Sequence, residues 1–134
     1  MITSPRNPTL RSAVLLAKRR HRQERRQFLI EGRRELARAV AAGVVVDQVF
    51  VDPVGADVEL DRLITTVAHA GAQVLEVASD VLAHLVYRES TEPVVAVART
   101  FATGFDRLDP TGSPLFLVVA EVEKPGNLGA MFRT

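Results

Sequence analysis

Apolar residues follow two alternating patterns along the first hundred residues. Stretches with an apolar residue every three or four positions, typical of helices, alternate with short continuous apolar runs, typical of buried strands. The predicted helices cover residues 8–17, 33–42, 58–70 and 79–86. The predicted strands cover residues 28–30, 44–51, 73–77 and 93–98. Strands that alternate with helices in this way predict a three-layer α/β/α sandwich.

Residues that start and stop helices support these boundaries. Asn7 precedes a proline and Asp57 precedes the third helix, so both are predicted N-caps. Gly43 is predicted at the C-terminal cap of the second helix. The inward-facing positions predicted for the first two helices are Leu10, Ala13, Val14, Ala17, Leu36, Ala37 and Val40.

The pattern changes after residue 99. Residues 100–114 contain two Gly, two Pro, three Thr and one Ser with little periodicity, which predicts a linker. The unbroken apolar run Leu115–Ala120 predicts a strand buried on both faces of a parallel sheet. A Pro-Gly turn follows, and Asn127 is the predicted N-cap of a further helix. We therefore expect residues 1–99 to form one domain and residues 115–134 to be the incomplete start of another.

Composition narrows the class of protein. Apolar residues make up 47% of the 134 and charged residues 25%, a soluble globular balance. The absence of cysteine excludes disulfides, thiolate catalysis and cysteine zinc sites. The first residues are polar, and no apolar stretch approaches the ~18 residues of a membrane span. A cytoplasmic protein without a membrane partner is expected.

The net charge of +1 conceals an uneven distribution. Residues 1–38 carry eleven basic and three acidic residues, whereas residues 39–134 carry six basic and thirteen acidic ones. Ten of the eleven N-terminal cations are arginine, which binds phosphate bidentately. Residues 19–26 have no apolar period, so an exposed helix end or loop is predicted there. This asymmetry favours a nucleic-acid partner over a merely solvated helix face.

The turn at residues 123–133 is the sharpest candidate for chemistry. Gly129 and Arg133 are four residues apart, hence on one helical face, so a long cation would lie above a position without a side chain. The start of a helix also favours anions. The alternatives are a purely structural turn at Gly126 and Asn127 and a surface role for Arg133, and the segment alone does not decide between them.

Two other groups of polar residues are weaker candidates. The three histidines, His21, His69 and His84, show no metal-ligand spacing. His21 lies in the basic run, and the other two are predicted at helix surfaces or in satisfied positions. Glu89 and Glu92 lie near Tyr87 and Arg88 in sequence, where a loop salt bridge is predicted rather than acid–base chemistry.

Four segments, in order along the chain, carry a resemblance to a known family. They are Ser4-Pro-Arg-Asn-Pro8, Phe28-Leu-Ile-Glu-Gly32, Thr91-Glu-Pro-Val-Val-Ala-Val-Ala98 and Pro125-Gly-Asn-Leu-Gly-Ala-Met-Phe-Arg-Thr134. The sequence resembles the SpoU-type (TrmH) branch of the SPOUT superfamily, whose members transfer methyl groups from S-adenosylmethionine to ribose 2′-hydroxyls in RNA. The resemblance implies an N-terminal substrate-binding sandwich related to a ribosomal protein.

The resemblance also implies roles for individual residues. Arg133 would help to activate the ribose hydroxyl by stabilising the developing alkoxide, since a guanidinium keeps its proton and is a poor general base. Asn127 would shape the reaction site. The surface that contacts RNA, by implication ribosomal RNA, would include Arg19, Arg20, Arg22, Arg25, Arg26, Arg33 and Arg34.

The family's second and third motifs are absent from these 134 residues. In the family those motifs hold S-adenosylmethionine and form the knotted region through which the enzymes dimerise. The resemblance therefore implies a truncated chain that binds RNA, binds no S-adenosylmethionine, transfers no methyl group and is monomeric.

Two other readings remain. One is a stand-alone, non-catalytic RNA-binding protein of ribosomal-protein type, whose tail adds a strand to its own sheet. The other is a small-ligand α/β domain that holds an anion at the Gly126 turn.

Overall fold

The computed structural model describes residues 1–86 and 92–134. The chain divides into two units, Met1–Phe101 and Ala102–Thr134. The loop interactions predicted for Tyr87, Arg88 and Glu89, and the first residue of the third resemblance segment, Thr91, lie outside the described residues.

The first unit contains five α-helices and four strands among its described residues. The helices are α1 (Pro8–Val14), α2 (Arg19–Arg25), α3 (Arg33–Ala41), α4 (Val58–His69) and α5 (Ser79–Leu82). The strands are β1 (Gln27–Glu31), β2 (Val46–Val51), β3 (Gln73–Glu76) and β4 (Val94–Arg99). A 3₁₀ turn, Leu15–Ala17, separates α1 from α2.

The strands form one mixed sheet in the order β1-β4-β2-β3. Strand β4 is central and antiparallel to both β1 and β2, whereas β2 and β3 are parallel and are connected through α4. Residues Val94 to Ala98 of β4 are all buried, which accounts for the continuous apolar run in the sequence. Near the amino terminus, Ile2 adds an isolated parallel bridge to Val77 beside β3.

Each face of the sheet is covered by helices, which gives two separate hydrophobic layers. One layer packs Leu36 of α3 and Leu60 of α4 against alternate sheet residues such as Val49 and Val94. The other layer packs Leu10 of α1 against Phe50 and its neighbours. The predicted three-layer α/β/α sandwich is therefore confirmed.

The predicted helix caps are also confirmed. The Asn7 side chain accepts hydrogen bonds from the backbone N–H groups of Thr9 and Leu10, at 2.9 and 3.2 Å. The Asp57 side chain accepts one from Leu60 at 2.9 Å. Gly43 has a φ of 75°, in the left-handed region that suits glycine after a helix.

Three details of the first unit differ from the predictions. The helical spacing wrongly placed Ala17 inside, because α1 ends at Val14 and the tighter 3₁₀ turn buries Leu16 instead. Ala37 of α3 is exposed, and Ala39 packs against the core in its place. Residues 19–25 form a helix of their own, α2, rather than an extension of α1 or a loop.

The second unit contains a 3₁₀ turn, Phe105–Arg107, and the helix α6, Pro125–Arg133. The strand predicted at Leu115–Ala120 does not form: no described strand pairs with this segment, and Leu115 and Val118 are 98% and 89% exposed. A segment without a ladder partner gains neither hydrogen bonds nor burial, which explains the difference.

The start of α6 also corrects a prediction. The helix begins at Pro125, with Lys124 as the preceding cap residue, so Asn127 lies in the first turn and is not the N-cap. Proline is favoured at the first helical position because its φ is already helical and its missing N–H needs no partner. No helix in the described ranges is both long and apolar enough to cross a membrane.

Candidate nucleic-acid interface

Helix α2 carries a stripe of polar residues at helical spacing. Lys18, in extended conformation, precedes it, and Arg26 ends it with a left-handed φ of 53°. Residues at positions 19, 22, 23 and 26 fall on one side, as the i, i+3, i+4, i+7 pattern requires. This side forms one wall of an open groove of about 520 Å³, which we call the α2 groove. Its lining residues are Arg19, Arg22, Gln23, Arg26, Gln27, Phe28, Thr100 and Phe101.

Two arginines of α2 anchor the helix to the rest of the unit. Arg22 donates from Nη1 to the carbonyl oxygens of Leu16 and Ala17, at 2.9 and 2.7 Å. Arg25 donates from Nη1 to the carbonyl and the hydroxyl oxygen of Ser12, at 2.9 and 2.6 Å. These are the carbonyls that the ends of α1 and of the 3₁₀ turn would otherwise leave without a partner. Both arginines therefore have a structural role.

Two other arginines, which line the groove, make no hydrogen bonds of this kind. Arg19 and Arg26 are exposed, and within the described part of the chain neither makes an ion pair or a side-chain hydrogen bond. The lining of the groove includes no acidic residue. Its positive charge is therefore not neutralised locally, which favours an anionic ligand.

A second part of the lining of the α2 groove, which we call the aromatic wall, contains two phenylalanine rings. The rings of Phe28 and Phe101 meet edge to face, with centroids 6.3 Å apart and an interplanar angle of 84°. Phe101 is 54% exposed, so about half of its surface is accessible to solvent. The backbone next to it is fixed, because the N–H of Thr100 donates to the carbonyl of Arg26 at 2.8 Å.

Polar contacts also hold the base of this wall. The Asp47 carboxylate accepts from Gln27 Nε2 at 2.8 Å and from Arg99 Nε at 2.7 Å. These contacts connect the start of edge strand β1 to the end of β4, so the two aromatic residues that follow in sequence, Phe28 and Phe101, are held at one end of the sheet.

Arg20 and Arg34 form exposed pairs on their own helices. Arg20 Nε lies 2.6 Å from Glu24, and Arg34 Nη2 lies 3.0 Å from Glu35. Their side chains are 82% and 72% exposed. The Arg34 guanidinium is the main cause that lowers the pKa of Glu35. Pairs as exposed as these contribute little to stability, so both arginines can exchange a carboxylate for a phosphate.

Arg33 has a different environment from the other predicted RNA ligands. Its guanidinium bridges the carboxylates of Asp57, by a short contact, and of Glu92, at 3.4 Å. The hydrogen bond with Asp57 raises the pKa of Arg33 above its ordinary value. The pKa of Asp57 is lowered, first by the hydrogen bond from the Leu60 backbone N–H and then by Arg33. Arg33 thus ties the start of α3 to the cap of α4, a structural role that the sequence prediction did not include.

The two candidate catalytic residues, Asn127 and Arg133, both lie on α6. Nη1 of Arg133 is 3.5 Å from the position that a Cβ at Gly129 would take, so the guanidinium does lie above the missing side chain. Asn127 and Arg133 are both exposed and six positions apart, and no contact joins their side chains in the described structure. The second unit therefore presents the motif without enclosing it.

The sequence reading missed the aromatic wall. Phe28 was assigned only to a strand, and Phe101 fell in the predicted linker. The one signal in the sequence was an aromatic residue, Phe101, shortly after the predicted strand 93–98. The pairing of that strand with the strand beside the arginines was not predicted. Residues 1–86 and 92–134 contain no group of three side chains that could hold a metal ion.

Comparisons with known proteins agree with this picture. The MRM3-like substrate-binding domain family matches residues 7–96. A crystal structure of an RNA 2′-O ribose methyltransferase is similar over 98% of this chain and 50% of that one, with 37% sequence identity and a TM-score of 0.79. The SpoU methyltransferase AviRb from Streptomyces viridochromogenes, in complex with AdoMet, is 27% identical over 78% of this chain and 39% of that one, with a TM-score of 0.69.

A more distant likeness extends only to the fold. The AdoMet-bound rRNA methyltransferase from Sinorhizobium meliloti is 21% identical, with a TM-score of 0.72 over 84% of this chain and 41% of that one. A search of curated proteins finds no match. This chain spans half or less of the length of each of these structures.

The fold and the matched domain define the class as an α/β/α substrate-binding domain. The chain belongs to the SpoU-type (TrmH-like) family of RNA 2′-O-ribose methyltransferases, of which it represents the substrate-binding region and the residues that follow.

Proposed function

We propose that this chain is the RNA-recognition part of an enzyme that methylates ribose 2′-hydroxyls with S-adenosylmethionine as the methyl donor. Residues 1–99 would be the recognition domain, 100–114 a linker and 115–134 the start of the catalytic domain. The observation that carries the proposal is the similarity to an RNA 2′-O ribose methyltransferase at 37% identity over 98% of this chain. Ribosomal RNA in the cytoplasm is the proposed target.

The contacts of the seven predicted RNA ligands divide them into two groups. Arg19, Arg20, Arg26 and Arg34 are exposed and either free of partners within the described residues or held only by weak surface pairs. We assign the phosphate contacts to these four. The structural arginines, Arg22, Arg25 and Arg33, would keep the surface in shape.

In the whole enzyme, Arg133 would stabilise the developing alkoxide of the attacking hydroxyl, and Asn127 would shape the site around it. The position of the Arg133 guanidinium above Gly129 supports this, because a ribose could approach the cation where no side chain intervenes. S-adenosylmethionine would be held by motifs that this chain lacks. The chain by itself would thus be a monomer that binds RNA and transfers nothing.

The rival of a stand-alone ribosomal-type protein depends on a tail that extends the sheet. The four strands of the sheet all lie within residues 27–99, and residues 115–120 are not among them. The structure gives that rival no support.

Binding to fragments of ribosomal RNA across a salt series tests the recognition function. Each phosphate contact contributes about −0.7 to −0.9 to the slope of log K against log salt. We expect Arg19→Ala combined with Arg26→Ala to reduce affinity and flatten the slope by about 1.5. Arg62→Ala is the matched control, since Arg62 is an exposed arginine on α4 whose side chain makes no ion pair or hydrogen bond in the described structure. Salt-insensitive binding, or equal losses in the control, would remove the proposal.

Transfer of a radiolabelled methyl group from S-adenosylmethionine to the same RNA fragments tests the proposal that this chain alone is inactive. We expect no transfer by this chain. Robust transfer would show that the donor site is present after all, and Arg133→Ala would then be expected to abolish it.

A further inference from the structure

We propose that the α2 groove binds one unpaired nucleotide of the RNA, with the base stacked on Phe101 and its phosphate held by Arg19 and Arg26. This inference rests on the proposed RNA-binding function and names the element of RNA that the groove selects.

The size of the groove sets the scale of its occupant. A volume of about 520 Å³ lies within the range of small-molecule sites and accommodates one nucleotide, but not a double helix. A surface that read only duplex shape would need no such recess. Sequence-specific recognition of RNA uses splayed bases in loops and bulges, which fit recesses of this kind.

The aromatic wall supplies a stacking platform that is already in place. Phe101 keeps 54% of its surface exposed while Phe28 supports it edge to face. The Thr100–Arg26 backbone hydrogen bond fixes the chain immediately before it. A half-exposed ring held in this way offers apolar surface without needing to be ordered on binding. Every nucleobase has a π-face that can stack on it.

The charges of the groove suit a phosphate. Arg19 and Arg26 lie on its α2 wall and have no ion-pair partner among the described residues, while Arg22 holds the wall through two backbone carbonyls. The carboxylate of Asp47, which contacts the lining residue Gln27, is already engaged by Gln27 and Arg99. Cations beside an aromatic platform are the combination that proteins use for single-stranded nucleic acid. An apolar ligand would gain nothing from the two free cations.

The test uses the full chain and two RNAs of equal length and charge, a hairpin with a single-stranded loop and a fully paired duplex. Fluorescence anisotropy measures both affinities for the wild type and for Phe101→Ala. We expect the substitution to weaken hairpin binding about tenfold, in line with the loss of one base stack, and to leave duplex binding unchanged. Phe105→Ala is the matched control, because Phe105 is 91% exposed and lies outside the groove.

A second readout is independent of affinity. A 5-iodouridine in the loop should crosslink under ultraviolet light to Phe101 or Phe28, as mapped by mass spectrometry. Circular dichroism of Phe101→Ala should match the wild type, because Phe101 is half-exposed and belongs to neither hydrophobic layer.

The outcomes separate this inference from the function on which it rests. If Phe101→Ala binds both RNAs like the wild type while the Arg19→Ala, Arg26→Ala double variant binds both weakly, the nucleotide site is wrong and RNA binding stands. Crosslinks confined to residues outside the groove would also overturn the site. If the wild type binds neither RNA, both proposals fail.

Discussion

The arginines between residues 19 and 34 look alike in the sequence but have different contacts in the structure. Arg22 and Arg25 satisfy backbone carbonyls, Arg33 bridges two carboxylates, and Arg19 and Arg26 remain free among the described residues. Removing Arg22 or Arg25 leaves carbonyl oxygens without a hydrogen-bond donor. Removing Arg19 or Arg26 breaks no such contact and changes only the electrostatic field. Stability and RNA affinity should therefore respond to different arginines.

Arg22→Ala should lower the free energy of unfolding by about 1–2 kcal/mol, because the Leu16 and Ala17 carbonyls lose a charged donor. Urea denaturation followed by circular dichroism measures this. Arg19→Ala, three residues away on the same helix, is the control and should stay within about 0.5 kcal/mol of the wild type. Equal effects of the two substitutions would contradict the division of roles.

Asp57 should make stability depend on pH. The pKa of its carboxyl lies below the ordinary value of 3.8 in the folded state, owing to the Leu60 N–H first and Arg33 second. A lowered folded-state pKa means that this stabilisation is complete above the unfolded-state pKa and is lost as the pH falls through the folded-state one. Asp57→Asn keeps an N-cap but cannot ionise.

The Tm of Asp57→Asn should therefore fall less than that of the wild type between about pH 5 and about pH 2. Calorimetry at several pH values measures the difference. Glu35, whose pKa is also lowered, contributes with the same sign in both proteins and does not confuse the comparison. Parallel curves for the two proteins would show that the Asp57 contacts are not formed in solution.

At the scale of elements, the sequence predicted those features that depend only on residues close to them in the chain. Asn7 and Asp57 cap the helices they were predicted to cap, since an N-cap needs only the next three residues. Helix α2 escaped prediction because it has no apolar face, and its stability comes from the contacts that Arg22 and Arg25 make with earlier residues. Periodicity cannot report such contacts.

The opposite error occurred at residues 115–120. The apolar run is typical of a strand with neighbours on both sides, but a strand exists only where partners are present. Among the described residues none pairs with it, so the segment forms no strand and stays exposed. An apolar run indicates that a segment can form a buried strand, but it does not indicate whether strands are present to pair with it.

Charged substitutions in this segment should improve solubility without changing stability. Leu117 and Val118 are 71% and 89% exposed, so Leu117→Lys with Val118→Glu removes an apolar stretch that could pair with another molecule, and removes no core contact. Light scattering against concentration measures association, and urea denaturation checks the fold. Phe105→Lys, an exposed apolar site outside the run, serves as the control. Unchanged association would indicate that the segment is already covered.

At the scale of the whole molecule, the sequence predicted the sandwich and its basic end but not the α2 groove. The number of arginines was enough to predict the basic end. The aromatic wall was not predicted, because Phe101 comes from the chain just after strand β4. Phe28 and Phe101 are 73 positions apart and meet only because β1 pairs antiparallel with β4, from Gln27 opposite Arg99. That pairing depends on strand order, which the alternation of elements left open.

Because of this topology, fragments that end at the predicted domain boundary, residue 99, or just after it should differ in RNA binding. Every residue of both hydrophobic layers lies before Arg99, so residues 1–99 and residues 1–101 should each fold with the urea midpoint of the full chain. The shorter fragment lacks Thr100 and Phe101 and therefore the part of the aromatic wall on which the base would stack. It should bind duplex RNA like the longer fragment and loop-containing RNA about tenfold more weakly.

Paired titrations of the two fragments against both RNAs measure this difference, with the full chain as reference. Since the fragments have the same net charge, any shared loss relative to the full chain reflects residues 102–134, whereas a difference between the fragments reflects the two residues at the groove. Equal affinity of both fragments for the loop RNA would mean that recognition is purely electrostatic. A lower urea midpoint for both would mean that residues beyond Phe101 contribute to the fold that holds the groove.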